Sequence, residues 1–417
     1  MPLSRIKKVL SKELGELGKR GSLKGKETVV TGVREAKGDK GSRYFIEGHG
    51  NREFLRMNSN SYLGMALRRE VIKAEEEATR KFGTGPGAVR FISGTYELHI
   101  ELEKRLAKFH SREAGMIFSS AYATVMGVLS PLISKDTAVI SDELNHNSII
   151  SAIRLSRPKE RKIYSHKNMN ELETKIKEGI GNCRRAILVT DGIFSMRGDY
   201  APLPEIADLA KKYDSEFEEG VLTVVDDSHG VGAVGETGRG TTELTHESRV
   251  DILISTLGKA LGVNGGYLVS DEKVIEYLRE TAPFYVYSNP ITVSEAGAAL
   301  KALEILDSNL GRKILKYLHE TTAYFRKGLV DLGYETIKGE HPIVPFMVRD
   351  TKKTIELVKH LKDNGILTTG LYYPVVPKGD EEIRFQICAD HTKSDMNYVL
   401  KALLSYHSTY RRSIVFD

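Results

Sequence analysis

The sequence predicts an α/β protein in which helices cover both faces of a mostly parallel sheet, with a smaller α/β domain after it. Between about residues 58 and 295, short apolar runs alternate with amphipathic segments. The runs are almost continuously apolar, as is typical of strands that are buried on both faces. The pattern changes near residue 296, so we expect an N-terminal segment (1–57), a large domain (58–295) and a small C-terminal domain (296–417).

Six apolar runs predict the strands of the large domain. They are AGMIFSS (114–120), TAVISD (137–142), RRAILVTD (184–191), VLTVVDD (221–227), ILISTL (252–257) and GYLVS (266–270). Amphipathic segments such as PLPEIADLAKKYD (202–214) separate most of them. In the small domain we expect strands in HPIVPFMVRD (341–350), ILTTGLYY (366–373) and EEIRFQIC (381–388), a helix at 353–364 and a closing helix.

Composition excludes several classes of protein. With 417 residues, of which 40% are apolar, the chain can bury a large core. It contains no apolar run of the length that spans a bilayer, which is about 18 residues or more, and its N-terminus has no signal-peptide core. We therefore expect a cytoplasmic protein without a membrane partner. Cys183 and Cys388 are too few for a disulfide framework and are too widely spaced for a metal-ligand pair.

Positive charge is concentrated near the N-terminus. Residues 1–40 contain 11 Lys and Arg against 5 Asp and Glu, and apolar residues recur there at helical spacing. The surplus fits either the solvated face of a helix or the attraction of a polyanionic ligand. It is not interleaved with aromatic residues and no recognition motif follows it, so we expect no nucleic-acid partner.

Polar side chains follow four of the predicted strands, at the points where the strands end. They are Asn145 and His146, then Asp191 and Ser195, then Asp226, Asp227 and His229, and finally Lys259. Ligands of open α/β sheets bind beyond the carboxyl ends of the strands. The sequence therefore predicts one site that combines acid, imidazole, hydroxyl and amine groups.

Three kinds of site could use such residues. The glycines of GVGAVG (230–235) match a dinucleotide fingerprint, but a loop-like segment follows them where that fingerprint requires a helix. Asp226, Asp227 and His229 could hold a cation, although further ligands would have to come from elsewhere and Lys259 would have no role. No glycine lies five residues before Gly258, so a phosphate-binding P-loop is excluded.

The third kind of site uses all of these groups and needs no metal. A lysine amine can bind the aldehyde of pyridoxal phosphate, while a carboxylate keeps the pyridine nitrogen protonated; Lys259 and Asp226 fit these roles. The flat ring needs a flat neighbour, and the imidazole of His146 can stack on it.

The phosphate of this cofactor needs its own binding groups. Backbone N–H groups at the start of a helix and hydroxyl donors bind phosphate well. Ser120, Ala121 and Tyr122 lie where a predicted strand gives way to a helix, and Thr256 precedes the lysine by three residues.

With these groups in place, the sequence resembles the α-oxoamine synthases, fold-type I pyridoxal-phosphate enzymes that join an amino acid to an acyl-CoA. The matching segments occur in the family's order over nearly the whole chain. They are NSNSYLG (58–64), VRFISGT with the following His and Leu-Glu (89–103), NHNSII (145–150), DGIFSMRGDYAPL (191–203), VVDDSHGVGAVGETGRG (224–240), STLGKALG (255–262) and YSNP (287–290).

The resemblance implies a role for each matching residue of the cofactor site. Lys259 would carry the cofactor and later act as a base, with Asp226 at the pyridine nitrogen, His229 at the phenolic oxygen and His146 on the ring. Ser195 would lie near the cofactor oxygen.

The resemblance also implies phosphate and substrate contacts. Ala121 and Tyr122 would offer backbone N–H groups, Thr256 its hydroxyl, and Ser288 would reach the phosphate of a neighbouring subunit in a homodimer. Asn60 and Arg384 match residues that grip the substrate carboxylate.

Within the family, the C-terminal stretch YYPVVPKGDEEIRFQICADHT (372–392) resembles the glycine C-acetyltransferases. We therefore expect condensation of glycine with acetyl-CoA, or the reverse cleavage in threonine degradation. An 8-amino-7-oxononanoate synthase, or another member with a different acyl-CoA or amino acid, is the alternative. Ala121, Tyr96-Glu97-Leu98 and Arg197 depart from the glycine C-acetyltransferase pattern.

Overall fold

The computed structural model describes residues 3–21, 23, 25–373 and 375–414, with side chains described through residue 406. The parts of the predicted N-terminal segment and small domain that fall on residues 1, 2, 22, 24, 374 and 415–417 lie outside the described residues. The chain packs as two compact units. The larger comprises residues 60–319 and 339–342, and the smaller comprises 1–59, 320–338 and 343–417. The predicted domain boundaries stay a prediction.

The strands, in chain order, are β1 Val30–Arg34, β2 Arg43–Ile46, β3 Leu55–Arg56, β4 Ala114–Phe118, β5 Thr137–Asp142, β6 Glu160–Tyr164, β7 Arg185–Asp191, β8 Val221–Asp226, β9 Ile252–Thr256, β10 Gly266–Ser270, β11 Ile343–Met347, β12 Ile366–Leu367, β13 Thr369–Leu371 and β14 Glu382–Gln386. The helices are α1 Leu3–Lys19, α2 Arg69–Phe82, α3 Glu97–Phe109, α4 Ala121–Leu132, α5 Asn147–Ser156, α6 Met169–Lys177, α7 Leu203–Tyr213, α8 Thr241–Leu244, α9 Glu272–Thr281, α10 Pro283–Val286, α11 Val293–Leu306, α12 Asn309–Asp331, α13 Thr351–Asp363 and α14 Lys393–Ile414. Among the described residues, no helix is long and apolar enough to cross a membrane.

The larger unit is built on a seven-stranded sheet in the order β4-β10-β9-β8-β7-β5-β6. The pairs of β5 with β6 and β7, of β7 with β8, and of β8 with β9 are parallel, while β10 runs antiparallel to both of its neighbours. Helices flank this sheet. The predicted fold class is therefore confirmed.

All six predicted strands of the large domain are present, and β6 is an additional one. Its sequence, ERKIY, begins with three charged residues, and the strand lies at the edge of the sheet, where Arg161 and Ile163 are exposed. The central strands bury both faces. On β7, for example, Ile187 and Val189 pack into one apolar core with α4 and α5, and the intervening residue Leu188 is also buried.

The smaller unit contains a three-stranded antiparallel sheet in the order β11-β14-β13, and two two-stranded pairs, β1 with β2 and β3 with β12. The predicted strand ILTTGLYY is divided, because β12 pairs in parallel with β3 whereas β13 pairs with β14. Asp395 near the start of α14 accepts a hydrogen bond from the backbone N–H of Gly41 at 2.9 Å and pairs with Arg43. The segment before residue 60 is thereby joined to the C-terminal elements.

Candidate active site

A recess of about 350 Å³ lies in the larger unit, beyond the carboxyl ends of β5, β7 and β8. Seven of the predicted site residues line it: Ala121, Tyr122, His146, Ser195, Asp226, His229 and Lys259. Ser148, Asp191, Ile193 and Ser228 complete the lining. The structure brings these seven residues to one recess, whereas Asn145 and Asp227, which were grouped with them, are not among the lining residues.

Lys259 lies half-buried in a tight loop between β9 and β10. Its carbonyl accepts a hydrogen bond from the N–H of Gly262 at 3.1 Å, and the N–H of Leu257 bonds to Gly265 at 2.9 Å. Gly262 has a φ of +71°, and a Cβ there would lie 2.4 Å from the backbone nitrogen of Ala66. Only glycine allows this close backbone approach, and so the loop holds Lys259 at the recess.

Asp226, the last residue of β8, and Asp227, the next residue, have different surroundings. Asp226 lines the recess, and one of its oxygens accepts the N–H of Ser228 at 3.0 Å. Asp227 does not line it. The Asp227 carboxylate accepts the N–H of Thr241 at 2.6 Å and its hydroxyl at 2.5 Å. Burial raises the pKa of Asp227 to about 6, against the opposing effect of these hydrogen bonds.

The glycines around Asp227 also explain the apparent dinucleotide fingerprint. A Cβ at Gly230 or Gly240 would lie 2.0 Å from an oxygen of Asp227. The segment after Gly230 forms turns, and the next helix, α8, has only four residues. These glycines therefore allow the backbone to close around a buried carboxylate. Asp227 stabilises this loop through its hydrogen bonds with Thr241 and does not line the recess.

His229 is buried and is held by an aromatic neighbour that the sequence analysis did not assign. The hydroxyl of Tyr62 lies 2.8 Å from Nδ1 of His229 and donates to Oδ1 of Asn60 at 3.3 Å. Nε2 of His341 donates to the carbonyl of His229 at 2.8 Å. Tyr62 belongs to the matched segment NSNSYLG, but 167 residues separate it from His229 and no local pattern links the two.

His146 is fixed at the start of α5. Its ring Nδ1 accepts the backbone N–H of Ser148 at 3.3 Å and lies 2.8 Å from the Ser148 hydroxyl. The backbone N–H of His146 donates to Oδ2 of Asp191 at 3.1 Å. Burial lowers the pKa of His146. Burial, and then the negative charge of Asp226, raise the pKa of Asp191 well above its usual range. A neutral imidazole therefore forms this wall, which suits stacking on a flat ring.

The start of α4 also lines the recess. Ser120 is its N-cap, and the Ser120 hydroxyl accepts the N–H of Ala123 at 3.1 Å. The first N–H groups of a helix have no acceptor within the helix and attract anions. A Cβ at Gly266 of β10 would lie 2.4 Å from the nitrogen of Ala121. The glycine thus leaves the N–H groups of Ala121 and Tyr122 uncovered at the recess.

Four of the remaining predicted residues have other contacts or belong to the smaller unit. The Thr256 hydroxyl donates to Gly265 at 3.1 Å and accepts the N–H of Gly258 at 3.0 Å. Ser288 donates to Asn289 at 3.5 Å. Arg384 lies on β14, opposite Pro345 and Thr369. It therefore stays a prediction that Thr256 and Ser288 bind the phosphate and that Asn60 and Arg384 bind the substrate carboxylate. The homodimer also stays a prediction.

The lining residues fit pyridoxal phosphate. They supply an amine for its aldehyde, a carboxylate for its ring nitrogen and helix N–H groups for its phosphate. The hydroxyl of Ser228 is buried at the recess without a hydrogen-bond partner among the described residues, so the wall retains a polar group for a ligand. Also within the described part of the chain, no group of three or more His, Cys, Asp and Glu is arranged to hold a metal ion.

Comparisons with known proteins agree with this fit. The model of the aminotransferase class I and II family matches residues 52–403. A Thermosipho melanesiensis protein named 8-amino-7-oxononanoate synthase is 39% identical over 394 residues, which cover 94% of this chain and 96% of that protein. A Petrotoga mobilis protein of the same name is 42% identical over 353 residues, or 84% and 87% of the two chains. The structure of a Sphingomonas wittichii serine palmitoyltransferase matches with a TM-score of 0.85 and 26% identity over 97% of each chain.

These comparisons correct one prediction. The assignment to glycine C-acetyltransferase and threonine degradation is wrong, because the similar proteins are named 8-amino-7-oxononanoate synthase. It was based on the resemblance of the C-terminal stretch 372–392, and that resemblance does not distinguish acyl groups within the α-oxoamine synthases. The cofactor prediction is confirmed. The chain belongs to the aminotransferase class I and II family, and it is a pyridoxal-phosphate-dependent enzyme of the α-oxoamine synthase type.

Proposed function

We propose that this enzyme condenses alanine with a pimeloyl thioester to form 8-amino-7-oxononanoate. The observation that carries the proposal is the similarity to proteins of that name, between 38% and 42% identity over at least 83% of this chain. The thioester is carried by coenzyme A or by an acyl-carrier protein, which share the reacting carbonyl. In the reaction, a bond forms between the alanine Cα and the thioester carbonyl, the C–S bond breaks, and the thiol leaves. The alanine carboxylate departs as carbon dioxide and a proton replaces it.

The recess supplies groups for each part of this reaction. Pyridoxal phosphate, when bound, supplies an aldehyde for amines and a ring that stabilises negative charge at the substrate Cα. Lys259 would be the attachment point, and Asp226 would hold the proton on the ring nitrogen. The N–H groups of Ala121 and Tyr122 would bind the phosphate. His146 would stack on the ring.

Two residues handle protons and charge during the reaction. The amine of Lys259 would remove the proton from the alanine Cα. His229 donates a hydrogen bond where negative charge develops on oxygen. Tyr62 and His341 hold the ring and backbone of His229, so that its donor is already oriented before the substrate arrives.

Turnover of a matrix of substrates tests this proposal. The enzyme with its cofactor is given alanine, glycine or serine, each with pimeloyl-CoA, acetyl-CoA or palmitoyl-CoA, and thiol and carbon dioxide are both measured. We expect the highest kcat/KM for alanine with pimeloyl-CoA, and one carbon dioxide for each thiol released. The Lys259→Ala variant is the control for thioester hydrolysis that does not depend on the site. A preference for serine with palmitoyl-CoA, or thiol release without carbon dioxide, would overturn the proposal.

A further inference from the structure

A charged cluster lies beside the recess but does not line it. His166 follows β6, and its ring lies between two carboxylates. Nδ1 is 3.1 Å from Oδ1 of Asp142 at the end of β5, and Nε2 is 3.0 Å from Oδ2 of Asp199 in the loop after β7. The Asp142 side chain is 1% exposed, and those of His166 and Asp199 are 16% and 15% exposed.

The geometry requires His166 to be a cation. An ionised carboxylate only accepts hydrogen bonds, so a ring that bonds one carboxylate through each nitrogen must carry both protons. Burial alone lowers the pKa of His166, but the hydrogen bonds to Asp142 and Asp199 outweigh burial and raise the pKa to about 9. Burial raises the pKa of Asp199, and the hydrogen bond from His166 reverses this effect and lowers it overall.

Other charged groups also face the cluster. Nζ of Lys167 and Nε of Arg197 lie 3.4 and 3.6 Å from Asp199. The carboxylate of Glu143 accepts the backbone N–H of His166 at 2.8 Å. Tyr164, buried on β6, has a raised pKa, first from burial and then from the charge of Asp142, and it stays neutral. Of these groups, His166 alone forms hydrogen bonds to both Asp142 and Asp199 with its side chain.

Each of the two carboxylates belongs to a segment that reaches the recess. The Asp142 carbonyl accepts the N–H of Asn145 at 3.3 Å, one residue before His146. The loop that ends at Asp199 carries Ser195, and it is closed by the N–H of Phe194, which donates to the Asp199 carbonyl at 2.9 Å. The His166 ring also packs edge-on against Phe194, with the ring centres 4.4 Å apart.

We propose that His166 is a positioning residue of the active site, which as a cation between Asp142 and Asp199 fixes the loop carrying Ser195 relative to the segment carrying His146. His166 does not line the recess. The inference rests on the family assignment and is independent of the acyl group, so the substrate matrix above and the test below can fail separately.

Pyridoxal-phosphate affinity, measured as a function of pH, tests this inference. The His166→Gln variant keeps a polar side chain that cannot bridge the carboxylates as a cation. Hydrogen bonds to charged groups are strong, and we expect the Kd for pyridoxal phosphate to rise about tenfold at pH 7. The ratio of variant to wild-type Kd should fall toward one above about pH 10, because the wild-type ring has by then lost its charge. A ratio that does not change with pH would show a merely structural role.

Three further variants complete the test. Asp199→Asn removes one carboxylate, keeps the pair of His166 with Asp142, and serves also if His166→Gln does not fold. We expect the double variant, His166→Gln with Asp199→Asn, to bind pyridoxal phosphate no more weakly than the weaker-binding of the two single variants. The reason is that both substitutions remove the same contact. Independent, additive losses would overturn the proposal. His246→Asn, at an exposed position with a φ of +53° that asparagine tolerates, is the matched control and should bind like the wild type.

Discussion

Replacement of Gly266 by alanine should separate cofactor binding from folding. The added Cβ would lie 2.4 Å from the Ala121 nitrogen and 2.5 Å from both its Cα and the hydroxyl of Thr124. An ordinary contact needs roughly 3.4 Å or more, so the start of α4 must retreat from β10 by about 1 Å. We expect the overpacking to lower the free energy of unfolding by about 1–3 kcal/mol.

The larger effect should be on the cofactor. Hydrogen bonds to charged groups contribute about 1.5–3 kcal/mol each, and a 1 Å displacement removes most of the contribution of the two N–H groups of Ala121 and Tyr122. The loss of about 3–6 kcal/mol corresponds to a Kd for pyridoxal phosphate that is on the order of a hundred to ten thousand times higher.

Titration of the apoenzyme with pyridoxal phosphate, followed by absorbance, measures this Kd, and urea unfolding measures stability. Gly115→Ala is the matched control, since its Cβ would lie 2.7 Å from the Glu103 carbonyl, on a strand of the same sheet but not at the recess. It should lose stability while its Kd stays near that of the wild type. A Gly266→Ala variant that folds and binds the cofactor as tightly as the wild type would refute the assignment of the α4 start as the phosphate site.

The remaining predictions concern the groups around the ring. Tyr62→Phe removes the hydroxyl that contacts Nδ1 of the buried His229. This should lower kcat about 5- to 100-fold with little change in cofactor affinity, and a kcat equal to that of the wild type would contradict the role given to Tyr62. Asp226→Asn should lower kcat at least about 100-fold, whereas Asp227→Asn should leave the absorbance spectrum of the bound cofactor unchanged. The opposite pattern would show that Asp227, and not Asp226, is the carboxylate at the ring nitrogen. Because the pKa of Asp227 is raised to about 6 in the folded state, its contribution to stability is complete below about pH 4 and is lost as pH rises through 6. Urea unfolding should therefore favour the Asp227→Asn variant over the wild type by about 2 kcal/mol more at pH 7 than at pH 4, and parallel pH curves would count against this.

The central sheet could be predicted because its strands are buried on both faces and therefore read as apolar runs. β5 and β10 have the predicted bounds, 137–142 and 266–270. β6 escaped prediction because an edge strand exposes alternate residues, and ERKIY shows little apolar signal. The division of residues 366–371 between two sheets depends on pairing with β3 and β14, which no local pattern specifies.

The site shows the same limit. Residues at the end of a strand or shortly after it, such as His146, Asp226 and Lys259, could be grouped because parallel strands end at one edge of the sheet. Tyr62 and His166 could not, since each acts on a residue far along the chain through a contact that only the folded structure creates. The acyl group was predicted wrongly because it was inferred from the resemblance of residues 372–392, and that stretch does not distinguish acyl groups within the family.

The most direct test of the active-site assignment is the identity of the lysine that carries the cofactor. Borohydride reduction of the enzyme with bound pyridoxal phosphate fixes the pyridoxyl group to that lysine, and peptide mass spectrometry then locates it. We predict that the label lies on Lys259 and is lost in Lys259→Ala. A label on another lysine of the wild-type enzyme, or full labelling of the variant, would contradict the account.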